Sequence, residues 1–323
     1  MKILLVEVEG APLHQFRDEH LEKIRSMAPN VEIVKVSASD LQKIESELED
    51  ADVLAGTLWA IPPIHDVKNL KWIHSFSAGV ERVLTPEVRA SDVIVGNCSG
   101  IHAIPIAEHI LGFVLIFTRR FYKTFRNQEK KVWEKQGDVT ELRDKVVLIV
   151  GLGHIGREAA KLLHCVGALV IAVDQPGKER PDFIDEMYLL EQLDEALPKA
   201  DFVVSCVPYT KETHHLFDMA KFRRMRGTAV FINISRGGVV HEGELVEALR
   251  QKVIAGAALD VTETEPLPKE SPLWDMENVI ITPHHSGWSE KYMERAVDLF
   301  CVNLKAYLRG ERLPNLVDKT RGY

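Results

Sequence analysis

The stretch Val146-Val147-Leu148-Ile149-Val150-Gly151-Leu152-Gly153-His154-Ile155-Gly156 decides the fold of this chain. Five aliphatic residues make a buried strand, and glycines at GxGxxG spacing lead from it into a helical run, Arg157 to His164. The first glycine permits a tight turn, the second lets the backbone approach a pyrophosphate, and the third lets the helix pack closely on the strand. Amides at the helix N-terminus then face the phosphate charge. The next strand ends Ile171-Ala172-Val173-Asp174, about 20 residues on, where an acidic side chain meets a ribose diol. Asp174 accepts from both hydroxyls and repels a 2′-phosphate. NAD is therefore expected over NADP, with Lys178 and Arg180 favouring the lesser alternative.

Working outward, strands recur at Leu169 to Val173, Phe202 to Cys206, Ala229 to Ile234, Ala255 to Leu259 and Val279 to Thr282. With the first they make six, separated by helices or turns, as in a doubly wound nucleotide-binding sheet. Upstream, Ile3 to Val8, Val31 to Val36, Val53 to Ala55, Trp72 to Phe76 and Val93 to Val95 read as a second set of buried strands. Helices alternate with them, from His14 to Met27 and from a Ser39-Asp40 cap through Leu48. This βαβ rhythm predicts two parallel sheets, each covered on both faces. The patterns Ile104 to Phe125 and Ser289 to Leu308 each predict one long helix, and these two join the domains. The expected fold is α/β, with a flavodoxin-like domain of residues 1–102 plus 289–323 and a Rossmann dinucleotide-binding domain of residues 103–288.

Bulk properties agree with this. A chain of 323 residues exceeds what one core usually serves. Its 46% hydrophobic and 27% charged residues are ordinary for a soluble globular protein. A net charge of −8 and the lack of a clustered basic stripe argue against nucleic acid. Cys98, Cys165, Cys206 and Cys301 have no metal-ligand rhythm, so reduced thiols and no metal are expected. The N-terminal apolar run meets Glu7 and Glu9 too early for a signal peptide. The apolar stretch Ile104 to Phe117 contains Glu108 and His109 and does not span a bilayer. A cytoplasmic location without membrane partners is expected.

Three later strand ends carry polar residues, where an open α/β sheet binds its ligands. They are Asn233-Ile234-Ser235-Arg236-Gly237-Gly238, Leu259-Asp260-Val261 with Glu263 and Glu265 beyond, and Thr282-Pro283-His284-His285-Ser286-Gly287. Taken singly, Arg236 reads equally well as a surface ion pair, Glu265 as a turn residue before Pro266, and His284 as a satisfied core histidine.

Taken together, these stretches resemble the D-isomer-specific 2-hydroxyacid dehydrogenase family over nearly the whole chain. Leu70 to Val80, containing Ser77-Ala78-Gly79-Val80, is similar to the family's substrate loop, and Ile106-Ala107-Glu108 to the start of its interdomain helix. GLGHIG, NISRGG, ALDVTETEPLP and TPHHSG are similar to its cofactor-domain signatures. The resemblance implies hydride transfer between NAD(H) and a small D-2-hydroxy or 2-oxo acid, with Arg236, Glu265 and His284 as the catalytic arginine, acid and histidine. It also implies cofactor contacts from Gly151, Gly153, His154, Ile155, Gly156, Asp174, Cys206, Val207, Pro208, Thr213, Ile234, Ser235, Arg236, Asp260, His284 and Ser286. Substrate contacts are implied for Ser77 to Val80 and Arg236. His285 departs from the apolar residue that relatives usually carry. Adjacent side chains on an extended segment point to opposite faces, so one of the pair enters the site, and the spacing selects His284.

In such a site a planar guanidinium bridges the carboxylate and carbonyl oxygens of a 2-oxo acid. A protonated histidine supplies the proton, and a neighbouring carboxylate orients it and favours its charged form. A cleft between the domains is expected to hold the reaction, with hinges near Ile104 and Ser289. The resemblance further implies a homodimer formed around the Ile104 helix. No domain is expected after Tyr323, nor allosteric control by one. Trp288, His102 and Trp133 are candidates for lining a pocket or a partner. Two other functions compete. A dinucleotide-sensing corepressor shares the fold, and formate oxidation is performed by relatives with glutamine in place of Glu265. L-specific dehydrogenases are excluded because their dinucleotide domain comes first in the chain.

Overall fold

A computed structural model describes residues 1–65, 68–177 and 179–322 of the chain. Lys178 and Tyr323, named above, lie outside the described residues. Two compact units are present, Met1–His102 with Trp288–Tyr323, and Ala103–Gly287.

The first unit contains β1 (Lys2–Glu7), α1 (Asp18–Met27), β2 (Glu32–Ser37), α2 (Leu41–Leu48), β3 (Val53–Gly56), β4 (Trp72–Ser75), α3 (Pro86–Ala90) and β5 (Ile94–Gly96). The strands pair in parallel in the order β2-β1-β3-β4-β5, the flavodoxin order. Side chains alternate across the sheet, so Ile3, Leu5 and Trp72 pack on one face and Leu4, Val6 and Ile73 on the other. Each fully buried aliphatic contributes about 1.5–3 kcal/mol. Helix α2 begins where its cap was expected, with Asp40 accepting from the Lys43 amide at 3.2 Å. Helix α1 begins later than its apolar pattern predicts. Pro12–His14 forms a 3₁₀ turn instead, and the Phe16 amide donates to the Glu7 carboxylate at 2.8 Å while its ring enters the core.

The second unit opens with α4 (Ala103–Thr118) and α5 (Phe121–Glu129). The single helix expected over 104–125 is therefore two. Arg120 adopts a left-handed φ of 56°, and its guanidinium reaches Asp138 at 3.1 Å, which holds the chain in that break. The sheet then runs through β6 (Val146–Val150), α6 (His154–Cys165), β7 (Leu169–Asp174), β8 (Glu186–Leu189), α7 (Leu193–Ala196), β9 (Phe202–Ser205), α8 (Met219–Arg224), β10 (Val230–Asn233), α9 (Glu242–Arg250), β11 (Gly256–Leu259) and β12 (Val279–Ile281). It has seven parallel strands, ordered β12-β11-β10-β9-β6-β7-β8, one more than the six expected. The additional strand, β8, is a half-exposed edge. Strand order reverses between β6 and β9, the switch point beside which such sheets bind ligands.

The chain returns to the first unit through α10 (Tyr292–Leu308), whose Phe300 and Leu304 are fully buried. Among the described residues no helix is long and apolar enough to cross a membrane.

Candidate active site

The glycine loop at the end of β6 has the shape its sequence requires. Gly151 has a φ of 101°, and a Cβ there would sit 2.9 Å from the Cys206 carbonyl oxygen. A Cβ on Gly156 would lie 2.0 Å from the Gly151 carbonyl, so helix and strand touch through glycine alone. A Cβ on Gly153 would meet nothing within 4 Å, and no side chain caps α6. Its first amides therefore border open space, as a pyrophosphate requires. Asp174 closes β7 with its carboxylate accepting from the Leu152 amide at 3.1 Å and the Gln175 amide at 2.7 Å. These bonds hold the acid beside the glycine loop. The residues fit a dinucleotide.

After β9, the Cys206-Val207-Pro208 turn packs against Gly151, and Thr213 ties it down by donating to the Pro208 carbonyl at 2.6 Å. Burial pushes the Cys206 thiol up to about 12, so it stays protonated. After β10, Ile234 and Ser235 are buried, and the Ser235 hydroxyl donates to Asn233 at 2.7 Å. Arg236 follows, and its Nη1 donates to the Ser235 carbonyl at 2.8 Å. A Cβ on Gly237 would fall 1.9 Å from the Thr262 carbonyl oxygen. This close approach brings the loop after β10 against the loop that carries Glu265.

Glu265 and His284 meet directly. Glu265 Oε2 lies 2.6 Å from His284 Nδ1, and Oε1 accepts from the Thr262 amide at 3.1 Å. Burial alone would raise the Glu265 carboxyl. The His284 hydrogen bond and charge, the Thr262 amide and the Arg236 charge outweigh it, so the carboxyl lies below its ordinary value. With Nδ1 engaged, Nε2 is the nitrogen turned away from Glu265. His284 has a left-handed φ of 51°, held by its amide donating to the Asp260 carbonyl at 2.9 Å. The segment is thus not extended at this point, contrary to the expectation from alternation. The two histidines nevertheless separate, His284 to Glu265 and His285 towards His109.

Asp260 is buried and accepts from the Thr282 hydroxyl at 2.5 Å, the His285 amide at 3.1 Å and the Ser286 amide at 3.1 Å. These bonds fix the loop that carries His284. Two neighbours here have no motif to announce them. His109, on α4, reaches the Thr282 hydroxyl at 3.1 Å, and burial lowers its pKa. Its donor atoms lie within 4.8 Å of those of Asp260 and His285. His215 lies 2.6 Å from Glu263, two residues before Glu265, and so ties down the loop that carries it.

In the first unit, the Ser77–Val80 loop has its carbonyls engaged internally. Cys98 donates its amide to Ser77 at 3.0 Å, Asn97 Nδ2 donates to Ala78 at 2.8 Å, and the Ser77 hydroxyl donates to Gly79 at 2.7 Å. Of the suggested lining residues, His102 lies 5.3 Å from the Tyr292 ring, Trp288 is half exposed, and Trp133 is 97% exposed.

Residues 111–286 match the family described as D-isomer specific 2-hydroxyacid dehydrogenase, NAD binding domain. Glyoxylate reductase of Thermofilum pendens is 36% identical over 256 residues, which are 78% of this chain and 76% of that protein. A D-isomer specific 2-hydroxyacid dehydrogenase family protein of Aeromonas salmonicida superposes with a TM-score of 0.84 at 28% identity, covering 98% of this chain and 99% of its own. The D-isomer specific 2-hydroxyacid dehydrogenase of Xanthobacter autotrophicus, solved with NADPH and MES, gives 0.83 at 27% identity and covers 99% of both chains.

Proposed function

The chain belongs to the D-isomer-specific 2-hydroxyacid dehydrogenases, which move a hydride between a nicotinamide dinucleotide and a small 2-hydroxy or 2-oxo acid, and we propose that Arg236, Glu265 and His284 carry that reaction here. The observation that supports the assignment most is the 2.6 Å contact between Glu265 and His284, made across 19 residues of sequence beside the Arg236 charge. The nicotinamide supplies or accepts the hydride when bound. Arg236 anchors the substrate carboxylate and polarises the carbonyl oxygen. His284 Nε2 gives that oxygen its proton in reduction and takes it back in oxidation, while Glu265 fixes the ring through Nδ1. The Ser77–Val80 loop, with its carbonyls satisfied internally, is the first unit's candidate for binding carboxylate oxygens through amides.

Glyoxylate and hydroxypyruvate are the first substrates to try, because glyoxylate reductase is the name of a close relative. Purified protein is expected to oxidise NADH in the presence of at least one member of a 2-oxo acid panel. No oxidation across the panel would end the proposal.

NAD is the proposed cofactor, and what supports it is the Asp174 carboxylate closing β7, fixed beside the glycine loop by the Leu152 and Gln175 amides, since its charge would oppose a 2′-phosphate. The NADPH bound by the Xanthobacter protein makes this choice worth testing. Replacing Asp174 by serine is expected to lower kcat/KM for NADH relative to NADPH by about 10- to 100-fold, the worth of one hydrogen bond to a charged group. An unchanged ratio would remove Asp174 as the selector.

We further propose a homodimer. Phe121, Phe125, Val132 and Trp133 are exposed in one stretch following α4, and a second copy is the occupant that would cover them. Sedimentation as a monomer at micromolar concentration would overturn this. All four cysteines are free, which suits the reducing cytoplasm.

A further inference from the structure

His109, Asp260 and His285 come from three places in the second unit: helix α4, the end of β11 and the turn after β12. Their donor atoms all lie within 4.8 Å of one another. The Asp260 side chain is 0% exposed. Its carboxylate accepts from the Thr282 hydroxyl and from the His285 and Ser286 amides, which are all neutral donors. His109 Nε2 stands 4.0 Å from Asp260 Oδ1, but burial lowers the pKa of His109, so the ring is not a counter-charge at neutral pH.

A buried carboxylate is normally paired with a cation or bound to a metal. Two imidazoles and a carboxylate make a ligand set that zinc-class ions take, with a fourth position left open. Calcium and magnesium prefer oxygen throughout. Zinc bonds to nitrogen and oxygen are about 2.0–2.2 Å long, so donors on one tetrahedral ion stand about 3.3–3.6 Å apart. The set must therefore close by roughly 1.3 Å at its widest, a movement that turning an imidazole supplies. His109 stands edge-on to His285 at 5.7 Å and to Phe113 at 4.5 Å between centroids, so Phe113 backs the ring on α4. Thr282 gives its one hydroxyl proton to Asp260, and it accepts from His109 Nε2 at 3.1 Å. An ion at Nε2 shifts that ring proton to Nδ1 and leaves the imidazole neutral, the form in which histidine binds metals.

We infer that His109, Asp260 and His285 form a site for one divalent ion of the zinc class, which clamps α4 to the turn that carries His284. His285, which the proposed reaction does not use, becomes a ligand. The ion supplies the charge that the buried Asp260 carboxylate otherwise meets only with neutral donors. The inference is independent of the proposed reduction of 2-oxo acids, and no step of hydride transfer passes through the ion.

The test titrates full-length protein, stripped with a chelator and free of any polyhistidine tag, with zinc(II), and with cobalt(II) for its visible absorption. One zinc per chain is expected to bind and to raise the melting temperature, because an ion held only by the folded chain stabilises it. Cobalt(II) is expected to give the strong d–d bands of a four-coordinate ion. Magnesium is expected to do neither. His285→Ala and His109→Gln are each expected to weaken zinc by about 10²-fold or more, since losing even an outer partner of a metal ligand costs about 10- to 100-fold. Glutamine at 109 can still bond Thr282, so loss of a ligand is kept apart from a disturbed loop, and without metal both variants are expected to melt near the parent. A stripped parent that binds neither zinc nor cobalt overturns the site, as does magnesium bound as well as zinc. Zinc affinity retained in either variant places the ion elsewhere, as at the exposed Cys165, and also overturns it.

Discussion

His284→Ala is expected to lower turnover of a 2-oxo acid by about 10² to 10⁴, the usual worth of a positioned acid-base group, while His285→Ala stays within about tenfold of the parent. The two histidines are neighbours in sequence with different commitments. His284 Nδ1 is held by Glu265 at 2.6 Å, which leaves Nε2 as the nitrogen proposed to face the substrate. His285 lies on the other side of the turn, its ring 5.7 Å from that of His109. Its amide, not its ring, is what Asp260 binds, so alanine at 285 keeps the bond that fixes the loop. The loss at 284 should fall on kcat in both directions of reaction, because the proposed role has one group give the proton in reduction and accept it in oxidation. KM should change little, since Arg236 is the proposed anchor. Equal losses at both positions, or a loss at 285 alone, would transfer the acid-base role away from His284.

Why one half of this site can be read along the chain and the other cannot follows from how its contacts are made. The glycine loop is local: strand, turn and helix N-terminus are contiguous, and the steric reason for Gly156 acts within that unit, while that for Gly151 acts against the turn after β9, its neighbour in the sheet. Arg236, Glu265 and His284 stand at successive strand ends, so parallel-sheet topology gathers them once the strands are recognised. His109 is different. It meets Thr282 across 173 residues, and along α4 it is one polar residue in an apolar run, indistinguishable there from a tolerated core histidine. His215 and Glu263 meet across 48 residues with no motif at either end.

The errors in secondary structure have similar causes. Strand β8, Glu-Met-Tyr-Leu, is an edge strand with half its residues exposed, so it lacks the continuous apolar run that marked the other six. The break between α4 and α5 falls at Arg119-Arg120, where neither glycine nor proline signals a stop. It depends on Asp138, eighteen residues further on, and that pairing exists only in the folded chain. The apolar pattern of α1 included Phe16 because Phe16 is buried, but its amide is drawn to Glu7 on β1 and out of any helix. In the two helix cases a tertiary hydrogen bond overrides a local pattern.

Arg236 gives the second large effect, and lysine and alanine together separate its two roles. Arg236→Lys keeps a positive charge but replaces a planar fork with a point charge. One of two parallel bonds to the carboxylate and carbonyl oxygens is lost and the other is misplaced. A hydrogen bond to a charged group is worth about 1.5–3 kcal/mol, so kcat/KM is expected to fall about 10²-fold. Arg236→Ala loses both bonds and the charge, and a fall of about 10³-fold or more is expected, near the cost of removing a donor that stabilises a developing oxyanion. The pH dependence distinguishes the variants further. Glu265 has a folded pKa below its ordinary value, so the stability it contributes is present above the unfolded value of about 4.3 and is lost as pH falls through the lower, folded one. The Arg236 charge is one of the causes holding it down. Lysine retains that charge and should leave the acid limb of stability and activity in place. Alanine removes it, so the folded value moves up towards the unfolded one. The stability Glu265 contributes should then shrink, its loss should be complete at higher pH, and the acid limb of activity should move to higher pH. If arginine, lysine and alanine gave the same acid limb and kcat/KM values within a factor of a few, Arg236 would be a surface residue that happens to lie near Glu265. The substrate's carboxylate would then need another anchor.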